Sequence, residues 1–305
     1  MSDKSWRHKW QKIGARDWDE IRVAWLEGNI PKFPAVGAPP EPGLENLPAL
    51  IAVPLDKNND RFPDVQFLRS TSLWEAVFLF HKCAHTHLAA QRIGQQGMHS
   101  WSLFNAYHSA YLGARGIMTL LGVPTPLLGS GQVLLDLFPE PLKKKKRDSS
   151  APVFQEFVIV RLAKLDQRYL WEAFQRVLRM TDATCWDTAL RDALLDIDFE
   201  DFSRPRNKYL YKASFWPPLA DLMTDTLLAD FNKLFGASLD IAEEGFLLRL
   251  CFSVYRLFEQ LMTDLALQSG VIKEQLDGSR IFASAGLPAI ECYTNFISQV
   301  SAGAA

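Results

Sequence analysis

Two long stretches of helical periodicity lie back to back in this chain, at residues 72–94 and 97–122, with only a Gly/Gln turn between them. In the second, Ala106, Ala110, Ala114, Ile117 and Leu121 recur every three or four residues, which puts small and apolar side chains on one helix face. So short a connection forces the two helices antiparallel, and their shared apolar surface has to be covered by another element. The pair sets the fold class. The chain is expected to be mainly α, with a helical bundle at its centre.

The remaining segments are arranged around that pair. Residues 17–28 read as a short amphipathic helix, with Asp17 as N-cap and Trp18, Ile21, Trp25 and Leu26 on one side. Eight prolines between Pro31 and Pro63 then give an irregular connector. Residues 132–138 and 154–163 are short apolar runs rich in Val, Leu, Ile and Phe, expected to form a two-stranded β-hairpin with a long basic tip. Helical patterns resume at 166–180, 184–195, 219–235, 240–269 and 288–300. This predicts an N-terminal extension over residues 1–70, made of a short helix and a Pro-rich connector. A helical domain over residues 71–305 follows, with the β-hairpin inserted at about 131–163.

Composition narrows the function. A formal net charge of -2 excludes a generic nucleic-acid coat, because that binding needs uncompensated Lys and Arg. Any RNA or DNA contact must come from a local patch. Nine Trp and twenty Phe predict thick helix packing, with aromatic surface left over for a protein partner or a second copy of the chain. Cys83, Cys185, Cys251 and Cys292 form no CxxC pair, so reduced cysteines in a cytoplasmic protein are expected, with no metal and no cofactor. No run reaches the roughly 18 apolar residues of a membrane helix, and no signal-peptide pattern follows the basic residues near Met1.

Four polar segments are candidates for chemistry. In the first, His81 and His85 share one helix face while Cys83 and His87 share roughly the opposite one, so the four cannot meet at one ion. Lys82 also stands where a zincin has Glu. The second is the stripe Asn105, His108, Leu112 and Arg115, whose three polar members stand on an otherwise apolar helix and serve either an internal hydrogen-bond network or a cleft. The third is dense in cations and tyrosines: Arg204, Arg206, Asn207, Lys208, Tyr209, Tyr211 and Lys212. It either grips a phosphate or carboxylate or docks onto the acidic residues upstream. The fourth is Lys143, Lys144, Lys145, Lys146 and Arg147, a solvated loop tip or a contact to a polyanion. Phosphate loops of the GxxxxGK[ST] type, GxGxxG turns and GxSxG elbows are all missing from the sequence.

The helix through Phe104, Tyr107, His108, Tyr111, Ala114 and Arg115 to Gly122 resembles the signature helix of the HEPN superfamily. Those are helical-bundle proteins of prokaryotic toxin–antitoxin and antiviral systems. Arg204, Pro205, Arg206 and Asn207, followed by Tyr211, resemble the family's second landmark. The resemblance spans roughly residues 72–270, with the hairpin as an insertion. It implies a HEPN-like bundle acting through a protein partner or a homodimer, and through RNA or DNA at a basic loop. Active members resemble metal-independent ribonucleases that use an Arg followed, after four to six intervening residues, by His. Here Tyr211 stands where that His would fall, and an unperturbed tyrosine, with a pKa near about 10, is a weak base at neutral pH. The resemblance therefore implies a binding protein. The alternative is a nuclease centre of Arg206, Asn207, Tyr211 and His108. Separately from it, Arg204 and the basic tip are expected to contact a nucleic acid or an acidic partner.

Overall fold

In the computed structural model the described residues are 13–28, 61–63, 68–95, 99–128, 131–139, 156–161, 167–198, 202 and 243–276. Among them the chain is mainly helical. The two central helices are α2 (Leu68–Gln95) and α3 (His99–Leu120), preceded by β1 (Arg16–Asp17), α1 (Trp18–Gly28) and β2 (Arg61–Pro63). After them come β3 (Leu127–Leu128), β4 (Gly131–Asp136), β5 (Glu156–Arg161), α4 (Gln167–Met180), β6 (Thr181–Asp182), α5 (Thr188–Asp196), α6 (Glu243–Leu267) and α7 (Gly270–Leu276). The helices expected at 219–235 and 288–300 lie outside the described residues.

The antiparallel pair is present as the spacing predicts, and α6 is the element that covers it. Helix α3 lies close to both neighbours. A Cβ placed on Gly116 would stand 2.2 Å from the Phe258 ring of α6 and 3.2 Å from Leu79 Cβ of α2, so only glycine admits this three-way contact. Phe80, Tyr107, Tyr255, Phe258 and Trp171 are all buried within the same cluster. Two polar handles are satisfied inside it. The Trp171 indole donates to Tyr107 Oη at 3.2 Å, and Tyr107 donates onward to Gln167 Oε1 at 2.9 Å.

The expected hairpin forms the centre of a larger sheet. Strands β4 and β5 pair antiparallel with Val133 opposite Arg161 and Asp136 opposite Val158. Strand β2, from the end of the Pro-rich connector, adds to β5, and β3 adds to β4, giving the order β2-β5-β4-β3. The flanking strands hold three residues and two, too short for a period-two pattern to show in the sequence. Helix α5 also begins later than its apolar pattern does, at Thr188. Asp187 caps it, accepting from the amides of Ala189 at 3.0 Å and Leu190 at 3.2 Å.

The N-terminal helix begins where its cap predicts: Asp17 Oδ1 accepts the Asp19 amide at 2.8 Å. Its aromatic side is buried in the common core, with Trp18 and Trp25 fully covered. Trp18 Nε1 donates to Asp264 of α6 at 2.7 Å, and Arg22 pairs with the same carboxylate. At the other end, Trp25 Nε1 donates to Leu120 O at 2.7 Å and Arg16 Nη1 to Leu121 O at 2.9 Å. Both oxygens belong to the last turn of α3, whose carbonyls have no partner within the helix.

That turn closes on Gly122 in the left-handed conformation, φ 78°. The Gly122 amide bonds Thr119 O at 2.9 Å and the Val123 amide bonds Met118 O at 2.7 Å, a Schellman closure. Phe138 fills the space a Cβ at Gly122 would need, only 2.3 Å away. Arg16 Nη2 reaches Asp136 Oδ1 at 2.6 Å, with both side chains 2% exposed or less. A buried ion pair with one partner removed is strongly unfavourable, whereas an apolar pair of similar volume is tolerated. Arg16→Ala is therefore expected to lose about 3–5 kcal/mol of unfolding free energy in denaturant titration. Arg16→Met with Asp136→Leu is expected to regain part of it, the rest staying lost because Leu121 O and the Phe138 amide are left unpaired. Equal losses in the single and double variants would show that the pair does not anchor this junction.

Candidate functional site

The described candidates fall on the two sides of the α2–α3 hairpin. On the inner side, the opposite-face reading of the histidine-rich stretch holds. Cys83 and His87 are buried, His85 is exposed, and His81 lies between. Cys83 bonds the backbone of Ser109 on α3. No group of three His, Cys, Asp or Glu side chains among the described residues could hold a metal ion.

His87 sits in a pocket that the sequence did not reveal. Its Nδ1 is 3.1 Å from Cys251 Sγ of α6, its ring stacks on Tyr255 at 4.9 Å between centroids, and its Nε2 is 3.3 Å from Gln91 Nε2. Tyr255 in turn donates to Glu259 Oε1 at 3.3 Å, and Arg256 pairs with the other oxygen of that carboxylate. Cys251, Tyr255 and Glu259 are spaced by four, so α6 presents all three along one face. Their partner on α2 is more than 160 residues away in sequence, which hides the constellation from any local pattern.

Burial sets the charge states here. Loss of solvent lowers the His87 imidazole from its usual 6.5 to about 4, so the ring is neutral near pH 7. A ring this hard to protonate is a poor acceptor for the proton of a neighbouring thiol. Burial also raises the Glu259 carboxyl, with Arg256 and Tyr255 pulling the other way. Cys185, near the α1–α6 junction, is pushed up to about 12 by burial and then by the Asp264 charge, which leaves its thiol protonated.

On the outer side, α3 carries the stripe of Asn105, His108 and Arg115. Asn105 Nδ2 donates to Trp101 O at 2.8 Å, and His108 Nδ1 lies 3.1 Å from Phe104 O. A carbonyl only accepts, so that ring nitrogen carries the proton and Nε2 holds the lone pair in the neutral form. Arg115 reaches Glu75 of α2 at 3.4 Å. These are contacts within the hairpin, which is the internal-network reading of the stripe. Above them runs an aromatic series: Trp101 packs edge-on to Phe104 at 5.8 Å, and Phe104 lies 4.1 Å from His108. Trp101 is 54% exposed, and across the hairpin Phe78 is 50% exposed with Lys82 Nζ 4.6 Å from its ring centroid. The sequence predicted aromatic surface for a partner without saying which rings; helical period alone does not tell an outward Trp from a core one.

Arg204, Arg206, Asn207 and Tyr211 lie outside the described residues, as do Lys143, Lys144, Lys145, Lys146 and Arg147. Of the proposed nuclease centre, His108 alone is placed. No helix among the described residues is long and apolar enough to cross a membrane. Compared with known proteins, the chain matches no family model, no curated protein and no solved structure.

The His87 pocket makes a specific pH dependence. Below its unfolded value of 6.5 the free imidazole binds a proton that the folded ring refuses until about pH 4. Folding stability therefore falls as pH drops through that window, by on the order of 3 kcal/mol from this group. Glu259 acts in the opposite sense, since its raised folded value favours the native state at low pH and that contribution is lost as pH rises. In urea titrations at pH 4 and pH 6.5, His87→Gln is expected to show a clearly smaller acid loss than the parent. Matching losses would place the acid sensitivity elsewhere.

Proposed function

We propose that this chain is a HEPN-like helical protein that works by holding a partner, as a component of a prokaryotic defence or toxin–antitoxin assembly. The observation that carries the binding reading is the outer face of the α2–α3 hairpin, where Trp101 is 54% exposed and Phe78 is 50% exposed. Large rings left in water on a rigid helical pair are the side chains that dominate protein interfaces. The rest of the hairpin supports them firmly: α3 is held by α2 on one side and α6 on another, and its C-terminal turn is capped. The HEPN and defence assignments rest on the resemblance of the helix from Phe104 to Gly122 and of the segment around Arg206.

The nuclease alternative draws on one observation, the outward helix face of His108 with its Nδ1 proton committed to Phe104 O. That tautomer leaves Nε2 able to accept a proton. The binding reading stands first because Tyr211 replaces the family's histidine and because the hairpin face carries the exposed rings of Trp101 and Phe78.

Purified full-length chain is expected to elute as an assembly heavier than its own 34.5 kDa by light scattering, with a second copy or a co-purifying component. The pair Trp101→Ser with Phe78→Ser is expected to release it as a monomer, with the melting temperature kept, since surface substitutions change stability by about 0.5 kcal/mol or less. A parent protein that is already monomeric and alone would overturn the reading.

A further inference from the structure

We infer that the outer face of the α2–α3 hairpin takes an acidic amphipathic helix of a partner protein, its apolar side on Trp101 and Phe78 and its carboxylates on Lys82 and Arg92. The inference rests on the partner-binding reading above and names the chemistry of the occupant.

Charge points to it first. Helices α2 and α3 together carry four Lys or Arg residues, Arg69, Lys82, Arg92 and Arg115, against one carboxylate, Glu75. Arg69 is turned inward, donating to Leu137 O at 3.2 Å, and Glu75 bonds Arg115 at 3.4 Å. The cations left for a partner are Lys82 and Arg92. Phe78, Lys82 and Arg92 fall at spacings of four and ten, so they follow one stripe of α2. That stripe and the Trp101–His108–Arg115 stripe of α3, spaced by sevens, flank the same Glu75–Arg115 contact. They therefore share one side of the hairpin.

Length points to the shape. Leu79 lies against Gly116, which puts Phe78 near the C-terminal half of α3, while Ser102 bonds Ala90 O at 2.6 Å and sets Trp101 beside the last turns of α2. At the helical rise the two rings are separated by about 18 Å, the length of a helix of about 12 residues. A docked helix reaches both with apolar residues three turns apart, the groove mode of peptide recognition.

The same geometry disfavours a single-stranded nucleic acid on this face. Arg115 is already paired with Glu75, so the face has no continuous row of cations to follow a phosphate backbone.

The test uses full-length protein and a fluorescein-labelled helical peptide of about 15 residues, with Leu at three- and four-residue spacing and Glu on the flanks. Its companions carry Lys in place of Glu, or a scrambled order, and oligo(U) is the fourth probe. Fluorescence anisotropy is expected to show the acidic peptide binding at least about tenfold tighter than the Lys version. Trp101→Ala and Lys82→Glu should each weaken it by about tenfold, with the circular dichroism spectrum unchanged, and Val271→Ala should leave it as it was. Equal binding of both charged peptides, or oligo(U) binding that depends on Trp101, overturns the inference. If the assembly seen by light scattering still depends on Trp101 in that case, the partner-binding reading survives without this occupant. If it does not, both fall.

Discussion

The last turn of α3 is the point on which this structure depends. A helix ends with carbonyls that have no partner, and in a buried position each one left unpaired is costly. Here two of them, Leu120 O and Leu121 O, are satisfied by Trp25 and Arg16, residues about a hundred positions earlier in the chain. The guanidinium also meets the negative end of the helix dipole, a favourable placement for a cation. Asp136, at the end of β4, then balances the charge of Arg16. One buried arginine thus ties together the N-terminal segment, the central bundle and the sheet, and Gly122 makes the turn tight enough for Phe138 to close over it.

With its C-terminal end fixed in this way, α3 divides its labour along its length. Gly113 and Gly116 are buried against α2 and α6, where close packing rewards small residues. Its first half carries Trp101, Phe104 and His108 toward the surface on a backbone that cannot easily shift. Rigid presentation of a few exposed rings lowers the ordering cost of binding, which is how a small patch comes to hold a partner. The buried His87–Cys251–Tyr255 contact performs a different task. It joins α2 to α6 through a neutral polar group inside an aromatic core, at the expense of acid sensitivity.

Much of this was legible in the sequence, for reasons that are local. Helices α2, α3, α4 and α6 announce themselves by period, Asp17 caps the helix it precedes, and Gly122 marks the end of α3. The faces of the histidine-rich stretch followed from spacing alone, which separated buried His87 from exposed His85. What stayed hidden depends on pairs distant along the chain. Nothing near Arg16 foretells Leu121, nothing near His87 foretells Cys251, and β2 and β3 are too brief to carry a pattern. The polar stripe of α3 was correctly seen as one face. Its spacing alone left open that Asn105 and His108 turn to carbonyls of their own helix.

The central proposal is that this protein binds rather than cuts, with Tyr211 in place of the histidine that a ribonuclease of the HEPN type would use. RNA cleavage by the purified full-length chain, on mixed tRNA and mRNA with EDTA present, tests it most directly beside Arg206→Ala and His108→Ala. The account predicts intact RNA with all three proteins. Cleavage by the parent chain that disappears in both variants would contradict it and establish His108 as part of a catalytic centre.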